Sequence, residues 1–231
     1  MIMAYTERHH AFISASFYKK LRDSQGEKGR DVFLLATQRY AEQRGSRMAQ
    51  RAIALGLPLN FETYCAFGEW NFTESFLNSL TIDHVQVISY TPDYCYNVFA
   101  CPWHEQYKAM ELLDGAILYC KHLDLAIARG FNPYLDFRVL QTMHETGKCV
   151  FELKNACLEG KVEKRQEWIL PFEYHCGHIF NTFSAISKSV LKTEGFKLSA
   201  SVLVDFAEEY GNAMADRLIS YEHTDFNVLT N

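Results

Sequence analysis

The chain has 231 residues, enough for one sizeable domain with a substantial core. Apolar residues make up 48% and charged residues 22%, the balance of an ordinary globular protein. A net charge of −5 without a Lys/Arg block argues against a nucleic-acid groove or an anionic membrane surface as partner, and no apolar run approaches the roughly 18 residues of a membrane span.

Two helices are expected first. His9 to Arg22 places Phe12, Ile13, Ser16, Phe17 and Leu21 at near-helical spacing, and Gly26 and Gly29 break it. Asp31 then caps a helix to about Leu55, where Gly56 and Pro58 end it. Phe61 to Trp70 reads as a short helix or ordered loop. The period then changes: Asp83–Tyr90 and Tyr94–Cys101 form an antiparallel hairpin around Thr91-Pro92-Asp93. Trp103–Leu113 and Gly115–Arg129 are helical, closed by Gly130 and Asn132-Pro133. Tyr134–Met143 and Cys149–Lys154 form a second hairpin around His144-Glu145-Thr146-Gly147. Residues 155–167 are a polar excursion. A long helix runs from about Phe172 to Leu191, and Gly195 separates it from a last helix over about Ser199–Tyr221.

The expected class is therefore α+β: a single domain over 1–231, with an antiparallel sheet built from two hairpins and flanked by N-terminal and C-terminal helices. Its parts are a helical stretch over about 1–80, sheet and helices over about 81–170, and C-terminal helices over about 171–221. Aromatics at 14% suggest a ring-rich core and an organic ligand site. Met1–His10 lacks the apolar core of an export signal. Seven cysteines, an odd number without framework spacing, fit a reducing compartment, and the chain is placed in the cytoplasm. Absence of any Cys-x-x-Cys pair disfavours a structural zinc site.

Three cysteines, Cys101, Cys120 and Cys149, fall within about fifty residues of one another. Cys101 ends a strand before Pro102 and a helix start, where exposed amides lower a thiol pKa. Cys120 and Asp124 are four apart and share a helical face, so both can look at a substrate or cation. The plainer reading packs Cys120 in the core and pairs Asp124 with Arg129 or Arg138. Cys149 alone reads as a core residue. Glu173, His175 and His178 open the long helix; the histidines share a face and suit proton transfer. They could also ligate a metal, although helical zinc sites space their histidines four apart.

These residues resemble the bacterial L-2-amino-thiazoline-4-carboxylic acid hydrolase family. The likeness lies in His9-His10-Ala11, Arg44-Gly45 with Met48-Ala49, Tyr119-Cys120 with Asp124, and Gly130-Phe131-Asn132-Pro133. It continues through Gly147, Cys149 and Phe151 to Trp168, Pro171 and Glu173-Tyr174-His175 leading to His178. The resemblance implies hydrolytic opening of a small cyclic amidine-like ring, giving N-carbamoyl-L-cysteine. Such a reaction needs a nucleophile or activated water, an acid for the ring heteroatoms and a grip on the substrate carboxylate.

Cys120, Asp124, Glu173, His175 and His178 are the expected catalytic set, in one pocket, with Cys101, Tyr119, Asn132 and Tyr174 at the substrate. No cofactor is expected; a divalent metal, if present, would sit on His175, His178 and Glu173. The expected partner is a small molecule, with a homo-oligomer compatible with the sequence. Two other readings stand beside this one: another small-molecule enzyme on the same scaffold, an isomerase or reductase, and a non-enzymatic module binding a small ligand or metal.

Overall fold

The structure, a computed structural model, describes residues 4–81 and 83–229. Residues 1–3 lie outside it, so the Met1–His10 segment is followed only from residue 4.

The first element, α1 (Glu7–Ala54), is a helical hairpin. Its halves meet at Gly26, whose φ of +57° and ψ of −132° turn the chain. Only glycine takes up that conformation without strain. The halves then run antiparallel, with the Tyr18 and Phe33 rings 5.1 Å apart and His10 Nε2 2.8 Å from Tyr40 Oη. The expected pair of helices is thus present, but Gly26 alone breaks them. Gly29 and Asp31 lie inside the second half, and a Cβ on Gly29 would stand 2.0 Å from the Leu21 carbonyl oxygen.

Two short helices follow, α2 (Phe61–Ala66) and α3 (Glu74–Ser79), capped by Asn60 and Thr73. Next come strands β1 (Val85–Ser89) and β2 (Tyr94–Val98), then helices α4 (Pro102–Ala109) and α5 (Leu113–Phe131). β3 (Phe137–Gln141) and β4 (Cys149–Leu153) complete a four-stranded antiparallel sheet in the order β1-β2-β4-β3. The stretch expected to be a plain turn between them contains a single-turn helix, α6 (Met143–Thr146). Thr142 and Glu145 cap it reciprocally, which favours helix over turn.

In β4 Cys149, Phe151 and Leu153 are buried in alternation, opposite Val98, Tyr96 and Tyr94 of β2. Phe137 and Val139 of β3 continue the same face. This inner face carries a stack of rings, Tyr90–Tyr94–Tyr96–Phe151, with successive centroids 5.5, 5.0 and 5.0 Å apart.

The C-terminal helices depart from expectation in two respects. α7 (Phe172–Leu191) has the bounds read from sequence, but the break after it is at Lys192, with φ +54° and ψ −125°. Gly195 lies within α8 (Thr193–Tyr210), packed where a Cβ would stand 2.2 Å from the Ser187 carbonyl oxygen. Gly211, with φ +92°, then separates α8 from α9 (Asn212–Ile219), so the expected last helix is two. The α7–α8 turn repeats the geometry of α1: a positive-φ residue, then a glycine three positions on that packs against the carbonyl five before the turn.

α1 runs along α5 on one side and α7 on the other, and α5 also contacts β3. α5 is thereby the shared wall between helical bundle and sheet. Its Ala116 and Tyr119 join the main core with Phe17, Phe33, Phe183 and Phe206.

Candidate active site

Arg44, Arg47 and Arg51 lie on the second half of α1 at positions i, i+3 and i+7, hence on one face. All three are buried, and they converge on Glu69, wholly buried in the segment between α2 and α3. Arg47 grips it bidentately, Nε to Oε1 at 3.0 Å and Nη2 to Oε2 at 2.7 Å, while Arg51 Nη1 donates to Oε1 at 2.8 Å. Arg44 is the one left over. Its Nε stands 3.8 Å from Glu69 Oε2 and has no hydrogen-bond partner among the described residues. The guanidinium instead lies over the Tyr40 and Trp70 rings, at 5.7 and 5.8 Å.

Three guanidinium groups thus share one interior carboxylate. Burying a charge without a counter-ion costs several kcal/mol, so such an arrangement is suited to receiving an anion.

Asp124, on α5 across the α1–α5 packing, feels the Arg44 charge without a direct ion pair to it. At this crossing the backbones nearly touch: a Cβ on Gly45 would lie 2.0 Å from the Ile127 carbonyl oxygen, and one on Gly130 2.4 Å from that of Glu42. Burial pushes the Asp124 carboxyl up to about 6, with the Arg44 guanidinium pulling against it. The plainer pairing with Arg129 or Arg138 does not occur. Arg129 binds Glu42 at 2.8 Å, and Arg138 binds Asp136 at 2.6 Å. Around Asp124 stand Tyr64, Tyr96, Cys101, Cys120 and Cys149, each of whose ionisation its charge opposes. Tyr64, Tyr96, Cys101, Cys120 and Asp124 are strongly desolvated yet only half-buried.

The three cysteines are brought together there, but not as thiolates. Burial raises Cys101 to about 12, outweighing the Trp103 and His104 amides of the α4 start that pull it down. Burial likewise raises Cys149 to about 11, although its Sγ accepts from the Met143 N–H at 3.3 Å. Cys120 is pushed well above its usual value, first by burial and then by Cys101, Cys149 and Asp124. The helix-start argument for Cys101 has the right sign and the smaller magnitude. Cys120 Sγ has a partner that sequence reasoning did not assign, His144 Nε2 at 3.2 Å.

The α7 residues divide. His175 Nε2 donates to the Glu69 carbonyl at 3.1 Å, and its Nδ1 has no partner among the described residues. His178 has both nitrogens engaged: Arg47 Nη2 donates to Nδ1 at 3.4 Å, leaving Nε2–H to donate to Gln43 Oε1 at 2.9 Å. Burial, reinforced by the arginines, drives both imidazoles well below 6.5 and keeps them neutral. Glu173 points elsewhere, accepting from Tyr221 Oη at 3.2 Å with Arg217 at 4.0 Å. Glu173 thus stands apart from the His175–His178 pair, and among the described residues no hydrogen bond joins these three to Cys120 or Asp124. Among the described residues no three His, Cys, Asp or Glu side chains are arranged to hold a metal ion, the Glu173–His175–His178 set included.

Asn132 is engaged at both ends of its amide, donating to the Leu59 carbonyl at 2.7 Å and accepting from Tyr134 N–H at 3.1 Å. It shapes the end of α5. Tyr119 is wholly buried with its hydroxyl unpartnered among the described residues, and its phenol is felt by Arg44. Tyr174 lies beneath the Arg47 guanidinium at 5.4 Å. His10 completes the polar interior: Trp103 Nε1 donates to its Nδ1 at 3.2 Å, so its Nε2–H faces Tyr40 Oη.

A buried guanidinium held only at long range by its carboxylate, and a buried carboxyl group raised to about 6, are features that sites for acid/base chemistry on small anions share. The family model for L-2-amino-thiazoline-4-carboxylic acid hydrolase matches residues 5–153, and the chain belongs to that family. Membership implies hydrolysis of L-2-amino-thiazoline-4-carboxylate, so the protein is a hydrolase acting on a small cyclic substrate. No curated protein and no solved structure matches it. The matched stretch holds Arg44, Glu69, Asp124 and the three cysteines, and it ends at Leu153, before Glu173, His175 and His178. Among the described residues no helix is long and apolar enough to cross a membrane.

Proposed function

We propose that the recess between α1, α5 and the inner face of the sheet is where L-2-amino-thiazoline-4-carboxylate is opened to N-carbamoyl-L-cysteine. The observation that carries this reading is Arg44: a buried guanidinium, left over from the Glu69 cluster, whose charge is felt by the Asp124 carboxyl. The substrate offers a carboxylate for Arg44 and an amidine for Asp124. Tyr119 Oη and His175 Nδ1, both buried and unpartnered, are further hydrogen-bonding groups for the bound ring.

Asp124, titrating near 6, is ionised at neutral pH and takes a proton from water as its oxygen adds to C2. The carboxylic acid then protonates the ring nitrogen. As the adduct collapses, the C2–S bond breaks with its electron pair on sulfur. The carbonyl forms by loss of the remaining water proton, and the sulfur acquires one proton. One water is consumed, and ring nitrogen and sulfur each gain a hydrogen.

Direct attack by a cysteine is less favoured, since Cys101, Cys120 and Cys149 are all held protonated. Cys120 instead serves as a proton carrier within the recess, while His178 and Tyr174 support the Arg47 end of the polar interior. Seven free cysteines and a thiol product suit a reducing compartment, in keeping with a cytoplasmic enzyme, and a homo-oligomer is compatible with this site.

The test is turnover of the compound by purified protein, with free thiol released in step with loss of the ring. Asp124→Asn should reduce kcat at least about a hundredfold, a typical general-base contribution. Wild-type protein that binds the compound without releasing thiol would remove the reading.

A further inference from the structure

Between β3 and β4 the chain does not turn directly but forms the single-turn helix α6. Several contacts fix it. Glu145 accepts from Thr142 Oγ1 at 2.8 Å and pairs with Lys121 of α5 at 2.7 Å, while Met143 N–H donates to Cys149 Sγ at 3.3 Å. Beside Glu145, this brings His144 to α5. Its Nε2 lies 3.2 Å from Cys120 Sγ, and its Nδ1 lies 3.0 Å from Nδ1 of His104, in the first turn of α4. His104 is half-buried and forms the outer end of the row. Cys120 is one helical turn from Asp124, on the same face of α5. The row His104–His144–Cys120 thus leads from the rim of the molecule to the residue next to the proposed base.

We infer that this row is the proton path of the recess: it delivers a proton through Cys120 to the departing ring sulfur and returns one from the collapsing adduct. The inference rests on the function proposed above. Each imidazole receives a proton on one nitrogen as it releases one from the other. His144 can pass one from His104 to Cys120 Sγ while the Cys120 S–H proton moves to the ring sulfur. The proton lost from the adduct hydroxyl balances the one gained by sulfur, so the row carries protons and consumes none. No thiolate accumulates, in accord with the desolvated surroundings of Cys120. His144 and His104 act through Cys120 and are positioning residues; Cys120 alone meets the substrate.

The experiment uses full-length protein. His144→Ala and Cys120→Ala should each lower kcat on L-2-amino-thiazoline-4-carboxylate by about a hundredfold, the usual scale of general acid help, with KM little changed. Added imidazole should restore His144→Ala by at least tenfold. Cys120→Ser, whose hydroxyl still donates and accepts, should recover at least tenfold over Cys120→Ala. A kcat for His144→Ala within twofold of wild type, or failure of both rescues in variants with unchanged melting temperature, would overturn the proposal.

A second arm needs no turnover. Alkylation of Cys120 by iodoacetamide, followed on its own peptide by mass spectrometry, should slow at least tenfold in His144→Ala, because the proton acceptor is gone. An unchanged alkylation rate overturns the proton path. Slowed alkylation in a protein that does not open the ring leaves the path standing and rejects the substrate reading.

Discussion

Asp124 carries a clear signature in both stability and activity. Its carboxyl is raised from 3.8 to about 6, so between those values the folded state holds more protons than the unfolded one, and stability falls as pH rises through this window. Above about pH 6 the ionised group costs the fold on the order of 3 kcal/mol. Asp124→Asn should therefore melt higher than wild type at pH 7.5 and at the same temperature near pH 4, while losing activity; thermal melts at the two pH values check it. Asp124 and Cys120 were legible in the sequence because a four-residue spacing on a helix fixes their common face. Arg44 entered only through the family likeness. Arginines at i, i+3 and i+7 ordinarily mark a solvated face, and what reverses this, a carboxylate in a loop twenty residues away, follows no local rule. His144 was hidden for a related reason, since a histidine before Glu-Thr-Gly in a hairpin reads as turn chemistry.

Local backbone strain and close packing set the elements. Lys192 holds φ +54° and ψ −125°, the conformation that Gly26 takes in the matching turn of α1. Left-handed geometry in a residue bearing a Cβ costs about 1–3 kcal/mol. Lys192→Gly should raise stability by about 1 kcal/mol, net of the greater freedom of the unfolded chain, measured as a shift in denaturant midpoint at constant slope. The opposite change belongs at the α1–α5 crossing. Gly45→Ala would force a methyl into the Ile127 carbonyl and should cost about 3 kcal/mol or more, with activity falling in the protein that remains folded, because the same two helices carry Arg44 and Asp124. Hairpin pairing and the bounds of α7 could be read from period and punctuation. The break at Lys192 could not: Gly195 supplied the expected stop signal, but its use is close helix packing, a tertiary fact.

The polar interior governs the response of the whole molecule to acid. His9 and His144 are lowered to about 4, and His10, His175 and His178 are driven well below 6.5, with burial the first cause in every case. Below pH 6.5 the unfolded chain takes up protons that these imidazoles refuse in the fold. Each such histidine removes up to roughly 1.4 kcal/mol per pH unit on the way down. Asp124 works in the other direction, but it is one group against five. Stability should be full above about pH 6.5 and fall steeply toward pH 4, which chemical denaturation at a series of pH values would register as a dropping midpoint. The α+β class was visible in the switch from helical to alternating period. The meeting of α1, the Glu69 segment and α5 around one leftover cation was not, because it depends on how helices cross.

The most direct measurement compares two substrates: L-2-amino-thiazoline-4-carboxylate and 2-amino-thiazoline, which lacks the carboxylate. Wild-type protein should favour the first by at least about a hundredfold in kcat/KM, the scale of a charge-assisted contact in a desolvated site. In Arg44→Met, which removes the leftover guanidinium but not the Arg47–Glu69 and Arg51–Glu69 pairs, that preference should collapse to within about threefold, chiefly through KM. A preference that survives unchanged in the variant would contradict the assignment of Arg44 and, with it, the location of the site.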